Sequence, residues 1–359
     1  MLKLDARIYV NNGYKKYIIT IPLIVLIYGC VKAPVQAPAP NDITKDAIWE
    51  SLDIVEIYDP YTDSWSAADP LAIGIENAAA SVVNDELFIA GGRKRLGSQY
   101  FTLTSFQIIH IPTGLCSIEY QLLKGVCGAA AGAIDEVLYI VGGVSSDSEL
   151  VNIGTYTYST LQLSYTLQIF HPDTREWRLG PPMPCDQSMW IPSNGACAVW
   201  GGKLYKFGYH LNVFEQDQEA SPALFIYDSI VESWSIKVAP GWLNPIVGVI
   251  DGEIYIADIS DQEYLEYGTF MIYDPSSDAY TLDLPLPTLR SYATGGVING
   301  KFYIVGGERD GWATNLLEVY DPTNNTWREK TPMPTPRRNA TAVAINGKLY
   351  VIGGNYEFK

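Results

Sequence analysis

The chain has 359 residues, 47% of them hydrophobic, which is ample to bury a core; its 31 glycines, 22 prolines and 25 tyrosines exclude an all-helical protein. A net charge of −16 with no basic stripe excludes nucleic acid as a partner, because nothing offsets phosphate repulsion.

In chain order, residues 1–29 read differently from the rest. Lys15 and Lys16 precede an apolar run from Tyr17 to Ile27. Such a run is too short to cross about 30 Å of hydrocarbon as a helix, and it has the form of an export signal. Its ending, Ile27-Tyr28-Gly29-Cys30, resembles the lipobox of bacterial lipoproteins. That resemblance implies cleavage before Cys30 and acylation of its thiol. An ordinary signal peptide with an incidental Cys30 is the alternative. Residues 30–53 form the expected tether, with Lys32–Pro40 (KAPVQAPAP) a stiff, extended spacer. The expectation is an exported protein of the cell envelope, at the outer membrane or cell surface, attached to the membrane through lipid alone.

From residue 54 to 359 a single unit recurs. Its first half reads Ile57–Trp65 (IYDPYTDSW), Ile108–Cys116, Ile169–Trp177, Ile226–Trp234, Ile272–Tyr280 and Val319–Trp327. Its second half is a hairpin of two short apolar strands. It ends at Gly91-Gly92, Gly142-Gly143, Gly208-Tyr209, Asp258-Ile259, Gly306-Gly307 and Gly353-Gly354. Asn299-Gly300 and Asn346-Gly347 suit two-residue type I′ turns between those strands. The Asp of the Tyr-Asp-Pro element reads as a turn former, and the aromatic after it as a wedge between units.

These motifs resemble the kelch repeat, and the resemblance covers about Val55 to Gly354. It implies an all-β fold, a six-bladed kelch-type β-propeller with four strands, a to d, in each blade. The chain begins with a c–d half and ends with an a–b half. The last blade is therefore expected to close by pairing the N-terminal c–d strands with the C-terminal a–b strands, which removes an open edge.

In such a meander the b–c and d–a connections share a face. They are the long ones here, so ligand binding is expected there. Aligned on the Gly-Gly position, Arg290 and Arg337 fall where kelch proteins with acidic ligands often place arginines at the channel mouth, with Arg338 adjacent. Trp190, Trp242 and His210 complete the candidate contacts. The alternative is that the arginines are solvated and the aromatics pack within loops.

Four cysteines follow Cys30, and neighbouring pairs, Cys116–Cys127 and Cys185–Cys197, are the expected bridges, with buried free thiols as the alternative. Three isolated histidines offer no catalytic constellation. No metal and no cofactor are assigned, and the balance is against an enzyme. The leading expectation is a monomeric module that binds a protein or an acidic glycan. One alternative is a sugar mutarotase resembling bacterial N-acetylneuraminate epimerases, with Arg290 and Arg337 holding the carboxylate. The other is a structural envelope scaffold.

Overall fold

The structure, a computed structural model, describes residues 5–12, 15–22, 51–96, 99–153, 156–184, 195–211, 220–240, 245–259, 268–281, 285 and 287–356. The chain divides into two units, Met1–Asp46 and Ala47–Lys359. In the first, Asp5–Asn12 and Lys15–Pro22 pair as an antiparallel hairpin. The expected signal peptide overlaps this hairpin, and Cys30 lies outside the described residues. Among the described residues, no helix is long and apolar enough to cross a membrane.

In the second unit, six four-stranded antiparallel sheets follow one another. Blade one comprises Ala79–Val83, Glu86–Ala90, Ser105–His110 and Leu115–Gln121 as strands a to d. Blade two is Ala130–Ile134, Val137–Val141, Leu167–His171 and Glu176–Leu179, and blade three Cys197–Trp200, Lys203–Leu211, Ala220–Asp228 and Ser233–Val238. Blade four is Ile246–Ile250, Glu253–Asp258, Thr269–Asp274 and Ala279–Thr281, and blade five Thr294–Ile298, Lys301–Val305, Leu317–Asp321 and Thr326–Lys330. Blade six takes strands a and b from Thr341–Ile345 and Lys348–Ile352, and strands c and d from Val55–Asp59 and Ser64–Ala67. The seam lies where the repeat order placed it, with Val55 opposite Ile352 and Tyr58 opposite Leu349.

The repeated residues do repeated work. The tyrosine or phenylalanine of strand c stands directly across from the aromatic of strand d, as in Tyr58–Trp65, Tyr227–Trp234 and Tyr320–Trp327, with ring centres 5.1–5.3 Å apart. Such a pair contributes about 0.5–1.5 kcal/mol beyond its buried area. In blades three, five and six the indole nitrogen then ties the blade to the one before it. Trp65 donates to the Thr331 carbonyl at 2.8 Å, Trp234 to Pro181 at 2.9 Å and Trp327 to Pro285 at 2.7 Å.

The Tyr-Asp-Pro aspartates are turn formers, as the sequence suggests: Asp59 accepts from Tyr61 N at 2.9 Å and Asp321 from Thr323 N at 3.1 Å. The tyrosine before each reaches a left-handed residue five positions on. Tyr58 donates to Asp63 at 2.6 Å and Tyr320 to Asn325 at 2.7 Å. At the end of strand b, Gly353 has a φ of 61°, and a Cβ there would lie 2.3 Å from the Ile75 carbonyl. Only glycine lets the next blade's lead-in pass that close.

Candidate functional site

The long b–c and d–a connections emerge together. Among the described residues, three of them form separate two-stranded ribbons: Arg93–Leu96 with Gln99–Thr102, Val144–Ile153 with Tyr156–Leu163, and Glu308–Arg309 with Trp312–Ala313. Around the channel, the segments leading into the blades are joined by main-chain hydrogen bonds. Asn339 N donates to Tyr292 O at 3.1 Å, Asn77 N to Asn339 O at 2.9 Å, and Gly128 N to Asn77 O at 2.8 Å. All four residues are left-handed, with φ from 53° to 67°. That backbone sense turns each N–H toward the preceding blade, so blades five, six, one and two are linked head to tail by a collar. Inside it lies a channel cavity of about 130 Å³, lined by small strand-a residues including Ala80, Thr294 and Thr341.

A polar chain crosses the rim of the same face. Glu308 pairs with Arg338, whose Nε donates to Asn355 Oδ1 at 3.1 Å. Asn355 Nδ2 donates to Glu76, and Glu76 pairs with Arg93 at 3.2 Å. Burial alone would lower the Arg93 pKa, but the charge of Glu76, with Cys127 and Tyr100, outweighs it and holds the guanidinium above its ordinary range. Arg93 and Arg95 lie on the Tyr100 ring, 4.4 and 4.6 Å from its centre. Tyr100 and Phe101 are nevertheless 40% and 46% exposed. The ribbon Arg93–Thr102 is thus a cationic, aromatic arm on an acidic protein. Sequence reading missed it; the signal was Arg93-Lys94-Arg95, three consecutive cations in a chain of net −16.

The structure moves the principal candidates away from this rim. Arg290 and Arg337 are 1% and 0% exposed. Arg290 donates to the carbonyls of Gly306 at 2.8 Å, Thr288 at 2.8 Å and Ile304 at 3.1 Å, and pairs with Glu318 on strand c of blade five. Arg337 pairs with Glu56 at 2.8 Å and donates to Val351 O at 3.2 Å. The expectation that these two contact a ligand is corrected. Each guanidinium turns beneath the end of strand b, where it pairs with a carboxylate of its own blade. Burial lowers the Arg337 pKa to about 10 against the opposing charge of Glu56.

Arg338 does face the rim, in the polar chain above. Trp190, Trp242 and Cys185 lie outside the described residues, and of His210 only its backbone, in strand b of blade three, is described. Among the described residues, no three His, Cys, Asp or Glu side chains are grouped to hold a metal ion.

The cysteine pairing is corrected in part. Cys116, Cys127 and Cys197 are free thiols. Cys116 packs in the apolar cluster between blades six and one, whereas Cys127 stands at the rim beside Arg93 and Asn77, so the two do not meet. The Cys197 thiol donates to Ala131 O at 3.0 Å.

Comparison with known proteins agrees with this geometry. The kelch motif matches residues 125–184, 289–334 and 336–357. A kelch-like protein, terF, of Aspergillus terreus is 24% identical over 276 residues, covering 72% of this chain and 55% of that protein. Human kelch-like protein 23 is 28% identical over 199 residues, covering 50% and 27%. The kelch repeat and BTB domain-containing protein 2 of cowpox virus is 24% identical over 222 residues, covering 58% and 36%. The chain therefore spans about half or less of the length of these curated relatives. The solved structure of YjhT superposes with a TM-score of 0.62 at 14% identity, covering 80% of this chain and 94% of that one, which is a likeness of fold. The matched motifs and these relatives support a kelch-repeat family for this chain, and its fold is a six-bladed kelch-type β-propeller.

Proposed function

We propose that this chain is a protein-binding module whose partner docks on the long-loop face, against the arm Arg93–Thr102 and the charged rim beside it. The carrying observation is the arm itself, in which Arg93, Lys94 and Arg95 stand beside exposed Tyr100 and Phe101 on a paired ribbon. Aromatic residues and arginine are the side chains enriched in binding faces and their hot spots. A cationic arm on a chain of net −16 selects an acidic partner surface and repels a basic one. The mutarotase alternative assigned its substrate carboxylate to Arg290 and Arg337. Both are already paired with carboxylates of the chain, so binding is the better reading.

The test sets the purified chain against arrays of acidic peptides and of sialylated glycans. Binding to Asp- and Glu-rich peptides, weakened by salt and by combined Lys94→Ala, Tyr100→Ala and Phe101→Ala, is expected. Binding confined to the glycans would replace a protein partner by a carbohydrate one. Binding to neither would favour the scaffold reading.

We further propose that the propeller is exported and held at a membrane by lipid on Cys30. The Ile-Tyr-Gly-Cys ending and the spacer Lys32–Pro40 support this. Cys30→Ser should abolish incorporation of labelled fatty acid, and undiminished labelling would refute the anchor.

A further inference from the structure

On the opposite face, among the short turns, a crevice of about 380 Å³ opens between blades five and six. That volume is in the range of small-ligand sites, about 300–1,000 Å³. Blade five contributes Lys301, Arg328 and Lys330, and blade six the turn Asp59-Pro60-Tyr61.

Elsewhere in the ring, a cation on strand d is neutralised by the next blade. Arg178, one residue after Trp177, pairs with Glu232 of blade three. Lys237, three residues after Trp234, pairs with Asp278 of blade four at 2.5 Å. In both cases the acid lies two positions before the next blade's strand-d aromatic, Trp234 or Tyr280. At the junction of blades five and six both cation positions are filled, by Arg328 and Lys330, and a single acid, Asp63, stands at the equivalent place.

Asp63 takes Lys330 at 3.6 Å and also accepts from Tyr58 at 2.6 Å and Thr331 N at 3.1 Å. The remaining carboxylates of the crevice are engaged as well, Asp59 by Lys348 at 3.1 Å and Asp321 by Lys301 at 2.6 Å. Arg328 lines the crevice, and its side chain has no ion pair or hydrogen bond among the described residues. Tyr61, from the facing turn, is 95% exposed. The junction therefore carries one guanidinium in excess, with an uncovered ring on the facing wall.

We propose that this crevice binds a small aromatic anion, an aryl phosphate or aryl carboxylate, with Arg328 gripping two anionic oxygens and Tyr61 covering the ring. Such a ligand joins blade five to the N-terminal Asp59-Pro60-Tyr61 turn of blade six, and so links the two parts of the chain that the seam within blade six unites. Its binding therefore stabilises the closed ring.

The test is calorimetric titration of the full chain with phenyl phosphate, alongside thermal melting. Saturable binding and a raised Tm are expected, with affinity weakened about tenfold or more by Arg328→Ala. Arg328→Lys keeps the charge without the planar fork, and should lose affinity too. Because Arg328 is exposed, both variants should melt like the parent without ligand. Inorganic phosphate should bind more weakly than phenyl phosphate. The arm variant Lys94→Ala/Tyr100→Ala/Phe101→Ala, on the other face, should bind phenyl phosphate unchanged, which separates this site from the proposed partner site. No saturable binding at millimolar phenyl phosphate, undiminished binding by Arg328→Ala, or inorganic phosphate binding as tightly would each overturn the proposal.

Discussion

Arg337 and Glu56 are 281 residues apart in sequence and form a buried ion pair of 2.8 Å across the seam of blade six. Glu56 also accepts from the Thr335 hydroxyl at 2.8 Å, so one carboxylate of the N-terminal half holds the lead-in of the C-terminal half. Removing one partner leaves the other charged and buried, which costs about 3–5 kcal/mol, whereas replacing both by apolar groups is often neutral. Glu56→Ala should therefore destabilise by about that amount. The double variant Glu56→Leu/Arg337→Met should recover most of it in urea unfolding. A double variant as unstable as the single would show that the pair holds no such coupling.

The same position in other blades follows a different chemistry. In blade one, Gln107 occupies the place of Glu56; its amide accepts from Ile73 N at 3.0 Å and donates to Ile73 O at 3.1 Å. In blade two, Gln168 does the same for Lys124, at 2.9 and 3.0 Å. In blade five the task is divided: Glu318 accepts from Thr288 N at 3.1 Å, and Arg290 donates to Thr288 O at 2.8 Å. One neutral amide, or a carboxylate with an arginine, satisfies the N–H and C=O of the equivalent residue. Gln168→Glu alone should then cost about 3 kcal/mol or more, because it leaves an unpaired buried charge facing the Lys124 carbonyl. Val126→Arg, at the position of Arg290, should restore part of that loss. A double-mutant cycle with no positive coupling would refute the division of labour.

This pairing also shows where the sequence was legible and where it was not. Blade number, strand order and seam followed from Tyr-Asp-Pro, the wedge aromatic and Gly-Gly, because each has one steric role repeated in register. Arg290 and Arg337 were placed correctly along the chain and wrongly in space. Spacing fixes where a Cα sits; which way a long side chain turns depends on what satisfies it. The clue was a covariation within the chain: glutamate stands on strand c in the two blades with arginine in the lead-in, and glutamine where that position is Ile75 or Val126. The arm Arg93–Thr102 was not legible as a site, because a b–c loop of that length does not announce that it pairs with itself.

The thiols give a third prediction. Burial pushes Cys127 up to about 11 and Cys197 up to about 12, and raises Cys116 as well. Thiolate, the reactive form, is therefore scarce near neutral pH. In the native chain at pH 8, Cys127 and Cys197 should react with iodoacetamide far more slowly than in urea. Non-reducing peptide mapping should find Cys116 and Cys127 unlinked. Fast native alkylation at either site would contradict the burial described.

The turn aspartates contribute to the loss of stability in acid. Lys301 and the Thr323 hydroxyl hold Asp321 at about 2, and the hydroxyls of Ser276 and Ser277 hold Asp274 at about 2, against an ordinary 3.8. The folded values are depressed, so the unfolded chain binds more protons between them. The stabilisation is complete above the unfolded value and disappears as pH falls through the folded one. Unfolding free energy should therefore decline between about pH 4 and pH 2. The two sites differ in how the carboxylate is held: Asp321 faces an ammonium at 2.6 Å, and Asp274 is held by hydroxyl and backbone donors. Added salt should shrink the acid-sensitive contribution removed by Asp321→Asn, and leave that removed by Asp274→Asn nearly unchanged, because screening acts on ion pairs and not on neutral donors. Equal salt dependence of the two variants would overturn that distinction.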